Sequence, residues 1–511
     1  MQDDSAWRET DLSRRYDAVI IGSGAGGAPL ALRLGQRGLR VLVVEYGDFL
    51  HVPRGGDDKP VGKFIAEVMG SRDAPLSVVG GRTKFYGAAL YRMRESDFRE
   101  VEHEGGISPA WPISYAELEP YYEQAEHLYR VHGAPDGDPT EPPRANPYPY
   151  PPLPHGPVVA KMVERLNGTG TPAAPVPSGL DYGPGGKCVL CPTCDAHLCT
   201  LDAKMDAEVA SMRPALATGN VFLSTRTEAL RLLTDSDGRR TTGVLLRRDG
   251  VEHRVQAEVV AVCGGLPGSA LLLRRSRTDR HPEGLGNAGG ALGRYLGGHS
   301  VGMIFPFVSA LKTVPSFYTK TFAINAFYDG APGWKYPLGV VQVAGQMPFW
   351  NEASRPIRPI AKLIGTHSLM CFYMGEALPT RESGLRFDGD AIAGRVDPVH
   401  NLETFARLRE MAVEAFRRAG YRSLARKRPP YLWHEVGTVR FGTDPGTSVL
   451  DPNCQVHDIQ GLYVLDASTL PSAGAVNTAL TIIALSLRAG DHIARQAGMT
   501  EERREEFALP H

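Results

Sequence analysis

The sequence predicts an α/β protein with a Rossmann-like unit at its N-terminus, and three observations predict it. Tyr16–Ile21 (YDAVII) is a short apolar run of strand type. It passes directly into Gly22-Ser23-Gly24-Ala25-Gly26-Gly27 and then an Ala/Leu-rich helical pattern. Residues 39–45 (LRVLVVE) then read as a second buried parallel strand, which completes a βαβ unit.

Gly22, Gly24 and Gly27 occupy the three positions of G-x-G-x-x-G. The first allows the tight strand-to-helix turn, the second lets the backbone approach a pyrophosphate, and the third lets helix and strand pack closely. The pyrophosphate sits on the positive end of the helix. Glu45 closes the second strand, 23 positions after Gly22, where an acid can accept hydrogen bonds from a ribose. The fingerprint alone does not separate FAD from NAD.

Further strand-like runs are Val221–Ser224, Gly243–Leu246 and Val259–Cys263, the first two separated by the turn signal Asp235-Ser236-Asp237-Gly238. Ser114 with Glu117 forms a capping-box pattern that starts a helix over 115–129. Residues 139–157 are too rich in proline for helix or central strand and read as an extended connector or lid. Residues 402–419 form an amphipathic helix pattern, and residues 477–496 the last helical one. No internal repeat is visible.

With 511 residues the chain has ample length for a large core. The 56 Lys and Arg balance 57 Asp and Glu, which leaves no basic footprint for nucleic acid and no polybasic stripe for an anionic membrane. The longest apolar stretch, 479–487, is far short of the ~18–20 residues of a membrane span. The N-terminus lacks the apolar region of a secretory signal, so a cytoplasmic protein with reduced thiols is expected.

The region 434–482 singles out a family. His434, Gly437, Thr438, Arg440 and Gly442 are followed by Asp451 and Val456. Then come Leu462, Tyr463, Val464, Asp466, Ala467, Ser468 and Pro471, and finally Asn477. This order resembles the C-terminal signature of the glucose–methanol–choline (GMC) oxidoreductases. Gly80-Gly81-Arg82-Thr83 with Gly87 resembles the family's segment along the flavin. Residues 111–122, 259–273, and Gly293-Arg294 with Leu296 and His299 are similar to other family stretches.

The resemblance implies FAD as cofactor, bound by an α/β domain assembled from residues 14–110, 186–300 and 430–511. A mixed α+β substrate-binding domain falls to residues 111–185 and 301–429. It implies Gly22, Gly24, Gly27, Glu45, Gly80, Gly81, Thr83, Asp466 and Ala467 at the cofactor. His434 is then the base that takes the alcohol proton while flavin N5 takes the hydride, and Asn477 orients the alcohol oxygen. An imidazole with an ordinary pKa near 6.5 suits that task. Asn477 is also placed to cap the terminal helix. His299 and His457 read equally well as structural. The family's covalent branch links FAD through a His at the position of Phe85, so that link is ruled out and dissociable FAD is expected.

Cys188, Cys191, Cys194 and Cys199 lie at C-x2-C-x2-C-x4-C spacing, which suits an iron–sulfur cluster or Zn, or else plain thiols and disulfides. Cys263 and Cys371 lie in apolar settings. Asn at 477, the cysteine segment and GGRTKFYGAALYR are similar to the branch holding the pyranose-oxidising and the aminoglycoside 6'-oxidising flavoproteins. The expected substrate is therefore a carbohydrate-like alcohol, down to a primary 6'-hydroxyl of an aminosugar, with oxygen or another carrier as electron acceptor. An aminated substrate calls for carboxylates, for which Glu352, Glu376, Asp388 and Asp390 are the candidates. The alternatives are oxidation of a choline-like, terpenoid or aromatic alcohol, and a flavin-binding protein without turnover.

Overall fold

The computed structural model describes residues 10–50, 62–65, 77–191, 193–308, 320–345, 350, 353–425 and 430–498. Two seven-stranded sheets organise them. The first contains β1 (Tyr16–Ile21) and β2 (Val41–Val44), joined by α1 (Gly27–Gln36). Its other strands are β4 (Val221–Ser224), β5 (Thr227–Thr234), β6 (Thr241–Arg248), β7 (Val251–Val262) and β14 (Leu462–Val464). The order is β4-β2-β1-β7-β6-β5, with β14 on the end of β7. The β4, β2, β1, β7 and β14 pairings are parallel, and β5, β6 and β7 form antiparallel hairpins. Every residue of β2 is buried, as a strand covered on both faces requires. The Asp235 turn closes as its residues predict, with the carboxylate accepting from the Arg239 and Arg240 amides.

The second sheet is antiparallel. Its strands are β3 (Ala174–Pro175), β8 (Gly297–Pro306), β9 (Phe322–Ile324), β10 (Val340–Gly345), β11 (Met370–Ala377), β12 (Ser423–Ala425) and β13 (Tyr431–Val436). The order is β12-β8-β11-β10-β9-β3, with β13 also on β8. Register puts His299, Val301 and Met303 of β8 opposite Glu376, Met374 and Phe372 of β11, and Phe372 opposite Gln342 of β10. Directly paired residues share a face, so these side chains point one way. Ile304, Val341, Cys371 and Tyr373 point the other way. They form a second core with Leu408 and Phe416 of α4 (Leu402–Arg418) and Met162 and Leu166 of α3 (Pro157–Gly168).

The helix predicted after Ser114 is α2 (Tyr115–Leu128), with the capping box formed and Pro120 inside. The proline-rich connector lies along it: Arg144 pairs with Glu126 and Glu141, and Tyr115 Oη donates to the Pro143 carbonyl. The terminal helix α5 (Ala479–Gln496) is almost wholly buried beside α1, tied by Arg33 and Arg37 to Asp491. Among the described residues no helix is long and apolar enough to cross a membrane.

Candidate active site

The carboxyl ends of the parallel strands β1, β2, β7 and β14 lie along one edge of the sheet, the edge where open α/β folds bind ligands in a crevice. Gly22 leaves β1 at φ +103°, and a Cβ there would strike the Cys263 carbonyl oxygen at 2.4 Å. A Cβ on Gly27 would fall 1.9 Å from the Gly22 oxygen, so α1 can seat on β1 only without one. No side chain caps α1 and no acid lies in its first turn, which leaves its positive end open to a diphosphate. A Cβ on Gly81 would come within 3.3 Å of Gly24, so the two glycine segments pack directly against each other. The Glu45 carboxylate accepts from the Ser23 amide and hydroxyl and from the Gly47 amide at the end of β2. The Ser23 hydroxyl in turn accepts from the Gly80 amide. An uncapped helix start, a cradle without Cβ atoms and a fixed carboxylate are what FAD needs, and the residues present fit it.

His434 reaches this crevice from the second sheet. The β13–β8 pairing slips between Gly297 and His299, so that two residues of β13 stand against one of β8. His434 occupies this bulge at φ +51°, a left-handed conformation costing a non-glycine residue about 1–3 kcal/mol. Its Nδ1 lies 2.8 Å from His299 Nδ1. His299 Nε2 faces the Ala473 carbonyl at 3.2 Å, and a carbonyl only accepts, so Nε2 carries the proton. The Nδ1 of neutral His299 is then an acceptor, and His434 donates to it through Nδ1. This order leaves the lone pair of His434 on Nε2. Burial, then His299, Lys320 and Arg82, hold His434 well below the ordinary histidine range, and burial lowers His299. Both rings are neutral at neutral pH.

Asn477 is buried at the end of the turn 472–477. The residue capping α5 is Thr478, without a side-chain bond, so Asn477 is not the cap that its position allowed. Its Oδ1 instead accepts from Gln342 Nε2 at 2.9 Å, which leaves Nδ2 as its donor. The turn is held throughout. The Ser472 hydroxyl accepts from Trp111 Nε1, and Glu376 Oε1 accepts from the Ala473 and Gly474 amides. Tyr328 Oη accepts from the Ala475 amide and donates to Asp97. The carbonyl of this turn orients His299, so His434 and Asn477 belong to one network.

Other expected residues lie beside the glycine turns, where a Cβ on Gly26 would come within 3.4 Å of Asp466 Cα. The Asp466 carboxylate is saturated by the Gly265 and Ser468 amides and the Ser269 and Ser468 hydroxyls, which makes it a bracket between β14 and the segment after β7. Ala467 opens the short turn that follows. Thr83 donates to the Gly80 carbonyl and accepts from the Ala207 amide, a tie behind the cradle. His457 bonds Ser448 and is structural.

The cysteine reading needs correction. Among the described residues no group of three or more His, Cys, Asp or Glu side chains converges to hold a metal, so Cys188, Cys191, Cys194 and Cys199 are not gathered as an iron–sulfur or Zn ligand set. The thiols are free. Cys191 turns into its own loop toward Thr193, and Cys199 lies on a strand paired with residues 62–64. Burial pushes Cys188 up to about 11 and Cys194 up to about 12, away from the thiolate form.

Of the carboxylates considered for an aminated substrate, Glu376 is engaged in the turn. Asp388 and Asp390 lie on an exposed hairpin, and Glu352 is outside the described residues. Gln342 was missed. Its one sequence signal is a lone amide inside the apolar run VVQVAG.

Comparison with known proteins agrees with this geometry. Residues 68–301 and 398–486 match models of the GMC oxidoreductases, and residues 17–56 match an FAD-binding domain. Paromamine 6'-oxidase of Streptomyces fradiae is 31% identical, over 96% of this chain and 94% of its own. The 6'''-hydroxyparomomycin C oxidase of Streptomyces lividus is 32% identical, over 94% and 92%. The 2-methyl-1,2-propanediol dehydrogenase of Mycolicibacterium austroafricanum is 28% identical, over 95% and 96%. In fold the chain is similar to a crystal structure of pyridoxine 4-oxidase from Mesorbium loti, with a TM-score of 0.64 at 19% identity, covering 96% of this chain and all of that one.

Proposed function

This chain belongs to the GMC oxidoreductase family and is an FAD-dependent alcohol oxidoreductase, and from that premise we propose that it oxidises the primary 6'-hydroxyl of an aminosugar. The observation that carries the chemistry is the ordered chain from His434 Nδ1 through His299 to the Ala473 carbonyl. It leaves a free, neutral Nε2 as base. The aminosugar reading is supported by the names of two relatives aligned over nearly the whole chain.

Bound FAD supplies the hydride acceptor. His434 Nε2 takes the hydroxyl proton as the carbon gives up its hydride, and the imidazolium so formed is held by its Nδ1–H bond to His299. Asn477, its Oδ1 occupied by Gln342, donates from Nδ2 to the alcohol oxygen and stabilises its growing negative charge. Gln342 Oε1 is buried without a partner among the described residues and serves as acceptor for a donor on the substrate. Phe85 packs with Ile65 and Leu198, and the cofactor is held without a covalent link.

Anaerobic mixing of the holoenzyme with paromamine, glucose, 2-methyl-1,2-propanediol and choline, read at the oxidised-flavin absorbance, tests this. Paromamine should bleach the flavin, and His434→Ala should slow bleaching at least about 1,000-fold without loss of FAD. Bleaching by the diol or choline alone would move the protein to a non-sugar alcohol. Flavin reduced by dithionite but by no alcohol would overturn the reading. Acid precipitation should release the flavin, and mixing the reduced protein with oxygen identifies the acceptor.

A further inference from the structure

A buried charge lies behind the histidine pair. Glu376 of β11 is directly opposite His299 of β8, only 6% exposed, and no Lys or Arg among the described residues pairs with it. Its Oε1 receives the Ser108 hydroxyl at 3.1 Å, the Ala473 amide at 3.0 Å and the Gly474 amide at 3.2 Å. Its Oε2 faces His103 Nε2 at 3.3 Å. Surroundings made of donors are those of a carboxylate. The Ala473–Gly474 peptide donates its Gly474 N–H to Glu376 and accepts the Nε2–H of His299 through its Ala473 carbonyl. The peptide dipole is thereby aligned so that its negative end meets the ring.

We propose that Glu376 is the positioning residue of the reaction, its negative charge offsetting the positive charge that His434 and His299 acquire when the alcohol proton arrives. This rests on the alcohol-oxidation reading above. Around the His pair the charges are unequally placed. Lys320 and Arg82 lower His434, whereas Glu376 raises His299. The remaining titratable groups facing Glu376 are His103, at its other oxygen, and Asp97, whose carboxyl burial and then Glu376 help push up to about 7. As the proton passes from the substrate hydroxyl to His434 Nε2, the Nδ1–H of His434 points at His299 Nδ1. The cation is thus spread toward the carboxylate.

Glu376→Gln separates charge from hydrogen bonding, because its oxygen still accepts from Ser108, Ala473 and Gly474. Holoenzyme and variant are compared by stopped-flow flavin reduction with paromamine from pH 5 to 9, with FAD content and melting temperature as controls. The variant should keep its FAD and its apparent substrate affinity but lose about tenfold in limiting rate. Removing the negative charge lowers the pKa of the pair, so the neutral form survives to lower pH. The acid limb should therefore move down by about one pH unit. Carbethoxylation of His434 by diethyl pyrocarbonate, followed by peptide mass spectrometry against pH, reads the same displacement without substrate. Unchanged rate and unchanged midpoints in a well-folded variant would overturn the proposal and leave Glu376 a tie for the turn. Failure of the wild type with every alcohol would instead sink the parent reading, while the carbethoxylation midpoints still judge Glu376.

Discussion

The two sheets differ in how they contribute to the same crevice. The parallel sheet offers backbone: glycines where a Cβ would collide, an uncapped helix start, and one carboxylate at a strand end. The antiparallel sheet offers side chains: His299, Glu376, Phe372 and Gln342 share one face, with His434 thrown onto it by a bulge. A backbone cradle is written in consecutive residues, because the turn, the helix start and the strand are local. A side-chain site is written in register, which pairs residues 299, 376 and 434 from distant parts of the chain. One region tolerates almost no added atom, and the other tolerates change in shape while losing chemistry.

The sharpest way to break this comparison is Gly27→Ala. Its Cβ would lie 1.9 Å from the Gly22 oxygen, so the holoprotein should be lost and flavin-to-protein absorbance should fall to near zero. A variant that retains full FAD would show the cradle to be more pliable than its contacts indicate. On the other sheet His299→Leu should keep FAD and lower the rate of flavin reduction about 100-fold, because the tautomer of His434 is then unassigned. If FAD were lost as well, the division between cradle and site would fail.

The smallest expected effect concerns pH. Asp97 is raised from 3.8 to about 7, first by burial, so the folded protein holds a proton that the unfolded chain releases. Stability from this group is present at low pH and is lost as pH rises through that window. Asp97→Asn should narrow the difference in Tm between pH 5 and pH 8 by about 1–2 °C. An unchanged difference would remove Asp97 from the account of the turn.

The legible parts of the sequence follow the same division. The first βαβ unit, the Asp235 turn, the capping box at Ser114 and the amphipathic helix at 402–418 were all readable. Each depends on neighbours within a few residues. The second sheet was not. Its strands β8, β10 and β11 are buried almost throughout, so the alternation that marks a half-exposed strand is absent. His434 and Asn477 stood out through their resemblance to a family signature, yet nothing local tied either to His299, Gln342 or Glu376. The cysteines show the converse: suggestive spacing, and among the described residues no ligand group assembled to hold a metal.

By itself the sequence determined the glycine turns and the family, and it singled out the two residues to which we assign the chemistry. Glycine positions and strand–turn–helix order are local steric facts, and one chain segment carries them whole. The tertiary structure decided which nitrogen of His434 keeps its lone pair, which way the Asn477 amide faces, and which charge lies behind them. Those depend on the Ala473 carbonyl, the Gln342 amide and the Glu376 carboxylate. Hydrogen-bond direction is set by the partner, and here every partner comes from another strand or turn.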